Sequence, residues 1–324
     1  MKKSILLLVL ALGLLASSRC FAETPENSIY VELVGKGVPL SSEDKAKLPE
    51  FTMVDGLDQT AQGKILEDVI AKQKGGPPAF KQFTENKLNA PFIKVDTAIP
   101  NSTSHQIDLY FIAYGNLQTV ANGNFWKARI GQKGKNGTLD FLTDKDLKQR
   151  GLTVIDQAKI KERYAFADKI DLFEFVQVSG TARSMETVGD QSVVVAILLD
   201  PKFQGDREFP NEWRKVTFLP NGKQQIGNAN PYDGVGAYAK VTQLQSPDDA
   251  LFVEYHIIYN EPAGWFDGRH VLETKLPMMI DNDVKRFRKD LKGATNAPAS
   301  AAKQQTSAGP QAAAPASSPS GTKK

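Results

Sequence analysis

The sequence predicts an α+β fold built mainly on an antiparallel sheet, with helices near the N-terminus and a closing helix at the C-terminal end. Two long β-hairpins carry this prediction. In the first, an apolar strand over residues 191–200 follows a turn at residues 188–191, and a continuously apolar strand is typical of one covered on both faces. In the second, strands at 234–244 and 250–259 flank a turn at 246–249. Long hairpins with few helices between them favour antiparallel pairing.

The closing helix is predicted over residues 281–292. Asp281 can cap its first turn, and Val284, Phe287 and Leu291 recur at the spacing of one helical face. The cations of this segment are expected on its solvated face; they are Lys285, Arg286, Arg288, Lys289 and Lys292. A helix packed in this way against a bent sheet gives a grip-like arrangement around an apolar pocket, an analogy of fold that names no family.

Further elements follow from shorter patterns. Asp58 is placed to cap a helix that runs to about Lys74, where two glycines and two prolines end it. Alternation of apolar and polar residues predicts the other strands. They are expected at residues 28–34, 92–99, 106–114, 126–130, 138–142, 169–187, 213–219 and 270–276.

By composition the chain divides into four segments. Residues 1–22 have the charged start, short apolar run and final small residue of a secretory signal peptide. Residues 23–90 form an N-terminal α+β segment, and residues 91–292 form the β-rich body with its closing helix. Residues 293–324 contain no aromatic residue and no Ile, Leu, Val or Met. Because such a segment has nothing to bury, the sequence predicts a disordered Ala/Pro/Ser-rich tail there.

The N-terminal segment predicts a bacterial protein of the periplasm or the extracellular space. Its apolar run, residues 5–16, is too short to span about 30 Å of hydrocarbon. Cleavage after Ala22 leaves no integral membrane segment and removes Cys20, the only cysteine. The alternatives are an uncleaved anchor and a lipoprotein acylated on Cys20, although Arg19 stands where a lipoprotein signal has a small residue.

Charge and cysteine content exclude some classes of function. The formal net charge of +3 comes from the two ends of the chain, because the signal segment and the tail each carry three cations and no acid. The body is therefore slightly acidic, which argues against nucleic-acid binding, where affinity depends on many phosphate contacts. Without Cys20 the mature chain has no disulfide, no thiol nucleophile and no cysteine metal ligand.

Familiar site motifs are missing from the sequence. The three histidines, His105, His256 and His270, lie far apart and form no paired zinc-binding pattern. There is no Gly-x-Ser-x-Gly nucleophile elbow and no phosphate-binding loop. The sequence therefore predicts no metal site and no cofactor, and it assigns no catalytic residue.

One segment, residues 254–270, concentrates side chains that bind ligands. Such residues are common on loops that leave a strong strand. The candidate binding residues are Glu254, His256, Glu261, Trp265, Asp267, Arg269 and His270. Two readings stay open: a ligand site in which Trp265 forms a stacking platform, or a long turn in which Trp265 and Phe266 plug the edge of the core.

Three functions are compatible with these observations. The first is a non-enzymatic protein of the cell envelope that binds a ligand or partner through this segment or an apolar pocket. The second is a hydrolase of envelope or extracellular material in which Glu261 and Asp267 share acid and base roles. The third is a structural envelope component. A cleft that gathers Glu261, Asp267 and the histidines would favour the hydrolase, and an apolar cavity beneath the sheet would favour the binding protein.

Overall fold

The computed structural model describes residues 26–41, 44–87, 90–100, 102–130, 133–134, 137–269 and 271–295. The signal peptide predicted at residues 1–22 and nearly all of the tail predicted at 293–324 lie outside these residues. The helices are α1 (Ser28–Gly35), α2 (Gln59–Ala71), α3 (Phe80–Thr84), α4 (Leu117–Val120), α5 (Gly123–Ile130), α6 (Asp144–Gln149) and α7 (Val271–Thr295). The strands are β1 (Val38–Pro39), β2 (Lys45–Ala46), β3 (Phe92–Ala98), β4 (Ser104–Tyr114), β5 (Lys133–Gly134), β6 (Gly137–Phe141), β7 (Ile160–Leu172), β8 (Val176–Val188), β9 (Ser192–Leu199), β10 (Glu212–Phe218), β11 (Gln224–Pro231), β12 (Val235–Gln243) and β13 (Ala250–Asn260).

An antiparallel sheet dominates the molecule. Its strands follow the order β3-β4-β13-β12-β9-β8-β7-β6-β5, and the β10–β11 hairpin pairs with the start of β8, which gives eleven strands within the described residues. The β8–β9 and β12–β13 hairpins form at the sheet centre, as predicted. With helices before the sheet and a long C-terminal helix after it, the predicted α+β fold is confirmed. No described helix is both long and apolar enough to cross a membrane.

The two faces of the sheet carry different layers, because successive side chains of a strand point to opposite faces. On β13, Leu251 and Val253 face the C-terminal helix and pack in one cluster with Val284 and Phe287 of α7. Phe252, between them, packs with α2 and α3 on the other face. Helix α1 and the β1–β2 hairpin cover the rest of that second face. The sheet is thus enclosed between an N-terminal layer and a layer of α4, α5 and α7.

The strand predicted at residues 28–34 is wrong, because these residues form helix α1. Asn27 caps it, with its Oδ1 accepting a hydrogen bond from the backbone N–H of Tyr30 at 3.1 Å. Ile29 and Leu33, four residues apart, are buried, whereas Val31 is 43% exposed. The spacing of Ile29 and Leu33 fits a helix as well as a strand, and the cap decides between them. The predicted helix after Asp58 is confirmed as α2, with Asp58 as its N-cap.

Two strand predictions in the body also need correction. Residues 126–130 belong to helix α5, from which Trp126 packs its ring 6.1 Å from the ring of Phe287. Residues 169–187 do not form one strand, because the chain reverses between β7 and β8. Phe173 and Glu174 have φ angles of 60° and 64°, and the backbone N–H of Glu174 donates to Asp171 Oδ1 at 2.6 Å. This turn uses no glycine or proline, and only the single Asp171 marks it in the sequence.

The C-terminal helix is longer than predicted. It begins at Val271 rather than 281, so the strand expected at 270–276 is wrong for the described residues, and His270 lies outside them. Leu272, Leu276 and Ile280 extend the apolar stripe of the predicted helix toward the N-terminus at four-residue spacing. Pro277 removes one backbone hydrogen bond of this helix, but the stripe continues past it and the helix does too.

Arg288 was expected on the solvated face of this helix, and it lies instead against the sheet edge. Its guanidinium donates hydrogen bonds to the backbone carbonyls of Ile112 at 2.9 Å, Ala90 at 2.7 Å and Pro91 at 3.3 Å. Burial lowers its pKa from the usual value. Arg288 therefore fixes the last part of α7 to the β3–β4 edge, where unused backbone carbonyls needed donors.

Candidate functional site

A pocket of about 520 Å³ lies between the first half of α7 and the sheet. Its floor is formed by side chains of β4 and β13 that point toward the helix, and its roof is formed by α7. The apolar lining residues are Ile107, Leu109, Tyr255, Ile257, Tyr259, Leu276, Met279 and Ile280, and the polar ones are Asn282, Asp283 and Arg286. The lining is thus mainly apolar, with charged groups from one part of the helix only.

A second pocket of about 230 Å³ continues this space toward the sheet centre. The two share Leu109, Tyr255 and Asp283. The floor of the second includes Ala237 and Ala239 of β12, and Trp126 and Phe287 line it from the helices. Together the two form one apolar site, the helix–sheet pocket.

The pocket exists because the two halves of α7 pack differently. In the second half, Val284, Phe287 and Leu291 are buried against the sheet. In the first half, Met278 is 57% and Met279 is 44% exposed, and the helix leaves room above β13. Ala237 and Ala239 enlarge the pocket, because larger side chains at these positions of the central strand would fill the space. A cavity of several hundred Å³ with mostly apolar walls suits a small organic ligand.

Tyr259 places a hydroxyl group at the end of the pocket near the start of α7. Burial raises the pKa of Tyr259, and the nearby carboxyls of Asp96, Glu261 and Glu273 raise it further. The phenol therefore keeps its proton at neutral pH and is available there as a neutral polar group. No cluster of side chains suited to hold a metal ion occurs among the described residues.

Two of the sequence-predicted site residues, Glu254 and His256, lie on the opposite face of the sheet from this pocket. Both are fully buried. Glu254 accepts hydrogen bonds from the backbone N–H groups of Thr52 at 2.7 Å and Met53 at 3.3 Å. His256 contacts Asp108 Oδ1 through Nδ1 at 2.7 Å and Glu254 Oε2 through Nε2 at 3.4 Å. This network, the buried staple, holds the segment before α2 against the sheet.

The buried staple makes stability depend on pH. Burial alone would lower the pKa of His256, but the hydrogen bonds to Asp108 and Glu254 outweigh it and hold the pKa above 6.5. Because both ring nitrogens face carboxylates, the charged ring can donate to each. A raised folded-state pKa gives stabilisation that is complete below the unfolded value and is lost as pH rises through the folded value. We therefore expect the melting temperature of the wild type to fall as the pH rises above the unfolded value of about 6.5.

The control for this prediction is His256→Gln, which cannot titrate. Its melting temperature should be lower at acidic pH and should change less across the same range, when both proteins are followed by circular dichroism. Parallel curves for the two proteins would show that His256 does not carry the pH dependence.

The remaining predicted residues lie on the loop between β13 and α7. Trp265 and Phe266 are buried in a cluster with Tyr232 and Leu272, so the reading of this loop as a plug of the core edge describes their position. Asp267 is exposed and its carboxylate lies 2.7 Å from Lys215 Nζ.

Two further residues of this loop, Arg269 and Glu261, complete the predicted set. Arg269 is exposed, with its guanidinium 5.2 Å from the ring centre of Phe175, and Glu261 is half-buried. His256 is on the other face of the sheet from the loop's buried aromatic residues. The cleft required by the hydrolase hypothesis is therefore not formed by the described residues.

Comparisons with known proteins give structural likeness only. No protein-family model matches the chain, and no curated protein is matched by sequence. A STAR-related lipid transfer protein from Xanthomonas axonopodis is similar in structure, with a TM-score of 0.39 and 10% identity over 64% of this chain and 96% of that one. Human STARD10 gives 0.36 and 8% over 78% and 83%. The lipid transfer and protein localization domain of human StarD13 gives 0.37 and 7% over 72% and 98%.

Sequence reasoning missed the residues that line the pocket. Tyr255, Ile257 and Tyr259 alternate with the polar residues that drew attention to the segment, and they carry no chemical motif. A usable signal was present, since Ala237 and Ala239 put two small side chains on one face of a strong central strand. That signal needs the strand register, which pairs Ala237 with Ile257 and Ala239 with Tyr255.

Proposed function

We propose that this chain is a non-enzymatic binding protein that holds a small apolar molecule in the helix–sheet pocket. The observation that carries the proposal is the incomplete packing of α7, which leaves an apolar stretch of the central sheet uncovered by the helix that spans it. A protein interior is normally close-packed. An open space between a helix and its sheet is therefore a feature that a ligand would use.

Energetics support this use of the pocket. Tyr255, Ile257 and Tyr259 stand on the second strand of the pocket floor and are only half-buried. Apolar surface left in contact with water costs about 25 cal/mol per Å² relative to burial. A ligand that covers these side chains and the inner side of Met279 recovers that free energy. The polar groups at Asn282, Asp283 and Arg286 stand on α7 and can orient one end of the bound molecule.

The proposal is tested by filling the pocket from its floor. Ala237→Phe puts a phenyl ring beneath α7, at some cost in packing strain of about 1–3 kcal/mol. We expect the affinity for the neutral apolar probe N-phenyl-1-naphthylamine, measured by fluorescence titration of the full chain, to fall at least about tenfold.

The matched control is Ala229→Phe on the exposed strand β11, which adds the same ring away from the pocket and should bind the probe as the wild type does. Circular dichroism at the titration temperature must show that both variants are folded. Equal affinity in the wild type and both variants would contradict the proposal, as would failure of the wild type to bind the probe.

Export from the cytoplasm stays a prediction of the sequence, carried by the pattern of residues 1–22. If it holds, the binding site works in the cell envelope or outside the cell. The structural-component alternative also stays a prediction, and probe binding by the wild type would argue against it.

A further inference from the structure

A buried carboxylate lies next to the floor of the helix–sheet pocket. Leu109, Tyr255, Ala239 and Val195 are successive cross-strand partners, and all four line the inner part of the pocket. The same row continues to Glu186 on β8, which pairs with Val195. Side chains of directly opposed residues stand about 4.5–5.5 Å apart at Cβ on the same face. Glu186 is therefore the next side chain after the pocket floor.

Glu186 has charged neighbours but, within the described part of the chain, no hydrogen-bond donor. Only 4% of the residue is exposed, and neither of its carboxylate oxygens has a hydrogen-bond partner among the described residues. Its charged neighbours are Arg163, whose Nη1 lies 3.8 Å from Glu186 Oε2, and Lys161, the cross-strand partner of Glu186. Burial raises the pKa of Glu186. A buried carboxylate without a donor is costly, and a native structure normally supplies one.

The roof of the same end carries a second unsatisfied group. Trp126 lines the inner pocket and is 9% exposed, and its Nε1–H has no hydrogen-bond partner among the described residues. Trp126 lies one turn after Gly123, so the two share a face of α5. A Cβ placed on Gly123 would lie 3.3 Å from Arg163 Nη2, 3.3 Å from Lys161 Nζ and 3.6 Å from Glu186 Oε2. The start of α5 thus lies over the carboxylate and the two cations beside it, and Trp126 of the same helix lines the pocket.

Among the described residues, a donor without an acceptor lines the inner part of the apolar pocket, and an acceptor without a donor lies next to its floor. Resting on the function proposed above, we infer that the ligand is an apolar molecule that ends in a hydroxyl group and enters with that group first. A hydroxyl oxygen accepts from Trp126 Nε1–H, and its proton is donated to Glu186. A pure hydrocarbon leaves both groups unsatisfied. A carboxylate cannot donate to Glu186 and is repelled by it, although Lys161 and Arg163 oppose that repulsion.

Three probes of equal chain length separate these possibilities: 1-dodecanol, dodecyl methyl ether and dodecanoate. The alcohol accepts and donates, the ether only accepts, and the acid is charged. Competition against N-phenyl-1-naphthylamine on the full chain should show that the alcohol binds at least about fivefold more tightly than the other two, since a buried hydrogen-bonding group discriminates against analogues that lack its partner.

Two variants test whether Trp126 and Glu186 cause the preference for the alcohol. Trp126→Phe removes the donor and keeps an aromatic ring, and it should weaken the alcohol and the ether by a similar factor, at least about fivefold. Glu186→Leu should weaken the alcohol alone and bring the ratio of alcohol to ether affinity to about one. Trp265→Phe is the matched control, because it removes another buried indole N–H without a partner among the described residues, outside the residues that line the pocket.

Equal binding of alcohol and ether by the wild type would overturn the inference and leave the proposed function standing. Tightest binding of dodecanoate would also overturn it and point to Lys161 and Arg163 as the recognising groups. Absence of binding by the apolar probe itself would instead contradict the proposed function. If Glu186→Leu fails to fold, the alcohol affinities of Trp126→Phe and Trp265→Phe still test the inference. Unchanged affinity for the alcohol in Trp126→Phe would refute the role of the indole.

Discussion

Replacing Phe287 by alanine is expected to lower the free energy of unfolding by about 3–5 kcal/mol. Phe287 is 4% exposed and is the central contact of α7 with the sheet. Its ring lies 5.4 Å from the ring of Phe111 on β4 and 5.3 Å from that of Phe125 on α5, both in edge-to-face geometry. The substitution therefore removes buried area and opens a cavity where three elements meet.

Urea denaturation of the wild type and the variant measures this effect. Lys289→Ala is the control, because Lys289 lies on the exposed side of the same helix, where a substitution changes stability by about 0.5 kcal/mol or less. Similar losses in the two variants would show that the solvated face of α7 contributes as much as the buried one, contrary to the packing described above.

Replacing Trp265 by alanine is expected to cost about 3–5 kcal/mol as well. Trp265 is 2% exposed and packs between Tyr232, at 5.4 Å between ring centres, and Trp213, at 6.3 Å. If Trp265 were instead a ligand platform on the surface, the same change would cost about 1 kcal/mol or less. Denaturation measurements thus distinguish a core residue from a binding residue without knowledge of the ligand.

Arg269→Ala tests whether the effect belongs to the side chain or to the whole loop. Arg269 is exposed, and its contact with the ring of Phe175 contributes about 0.5–1 kcal/mol at such a site. A loss in Arg269→Ala as large as that in Trp265→Ala would mean that any change in the loop unfolds it, and Trp265 would not be its specific anchor.

The fold could be predicted where a sequence pattern is compatible with only one kind of secondary-structure element. The β12–β13 hairpin joins two long, largely apolar stretches by an obvious turn, and the stripe of Val284, Phe287 and Leu291 fits a helix only. Prediction failed where a pattern fits two kinds of element or where a turn contains neither glycine nor proline. Ile29, Val31 and Leu33 fit a strand, but the burial of the first and third fits a helix equally, and the β7–β8 turn is made by Phe173 and Glu174 in left-handed conformations.

For the candidate site, the sequence predicted an apolar pocket beneath a closing helix but not the residues that line it. Polar residues in an apolar strand, such as Glu254 and His256, are equally compatible with a ligand site and with a buried hydrogen-bond network. The contacts that distinguish the two are distant in sequence. Asp108 is more than 140 residues from His256, and Thr52 is more than 200 residues from Glu254. The pocket itself comes from tertiary packing. It depends on which strands adjoin Ala237 and Ala239 and on how far α7 stands from them.

The N-terminal layer has a consequence for the order in which the chain can be assembled. Asn27 donates to the carbonyl of Met185, and the backbone N–H of Thr52 donates to Glu254. The N-terminal layer therefore cannot make these contacts until β8 and β13 have been synthesised. Hairpins such as β12–β13 form by closing short loops. The contact of Asn27 with Met185, at the start of α1, instead closes a loop of more than 150 residues, which is slower. Until then Ile29 and Leu33 have no core to enter, so α1, although it is synthesised before the sheet, is expected to be among the last of the described elements to be buried.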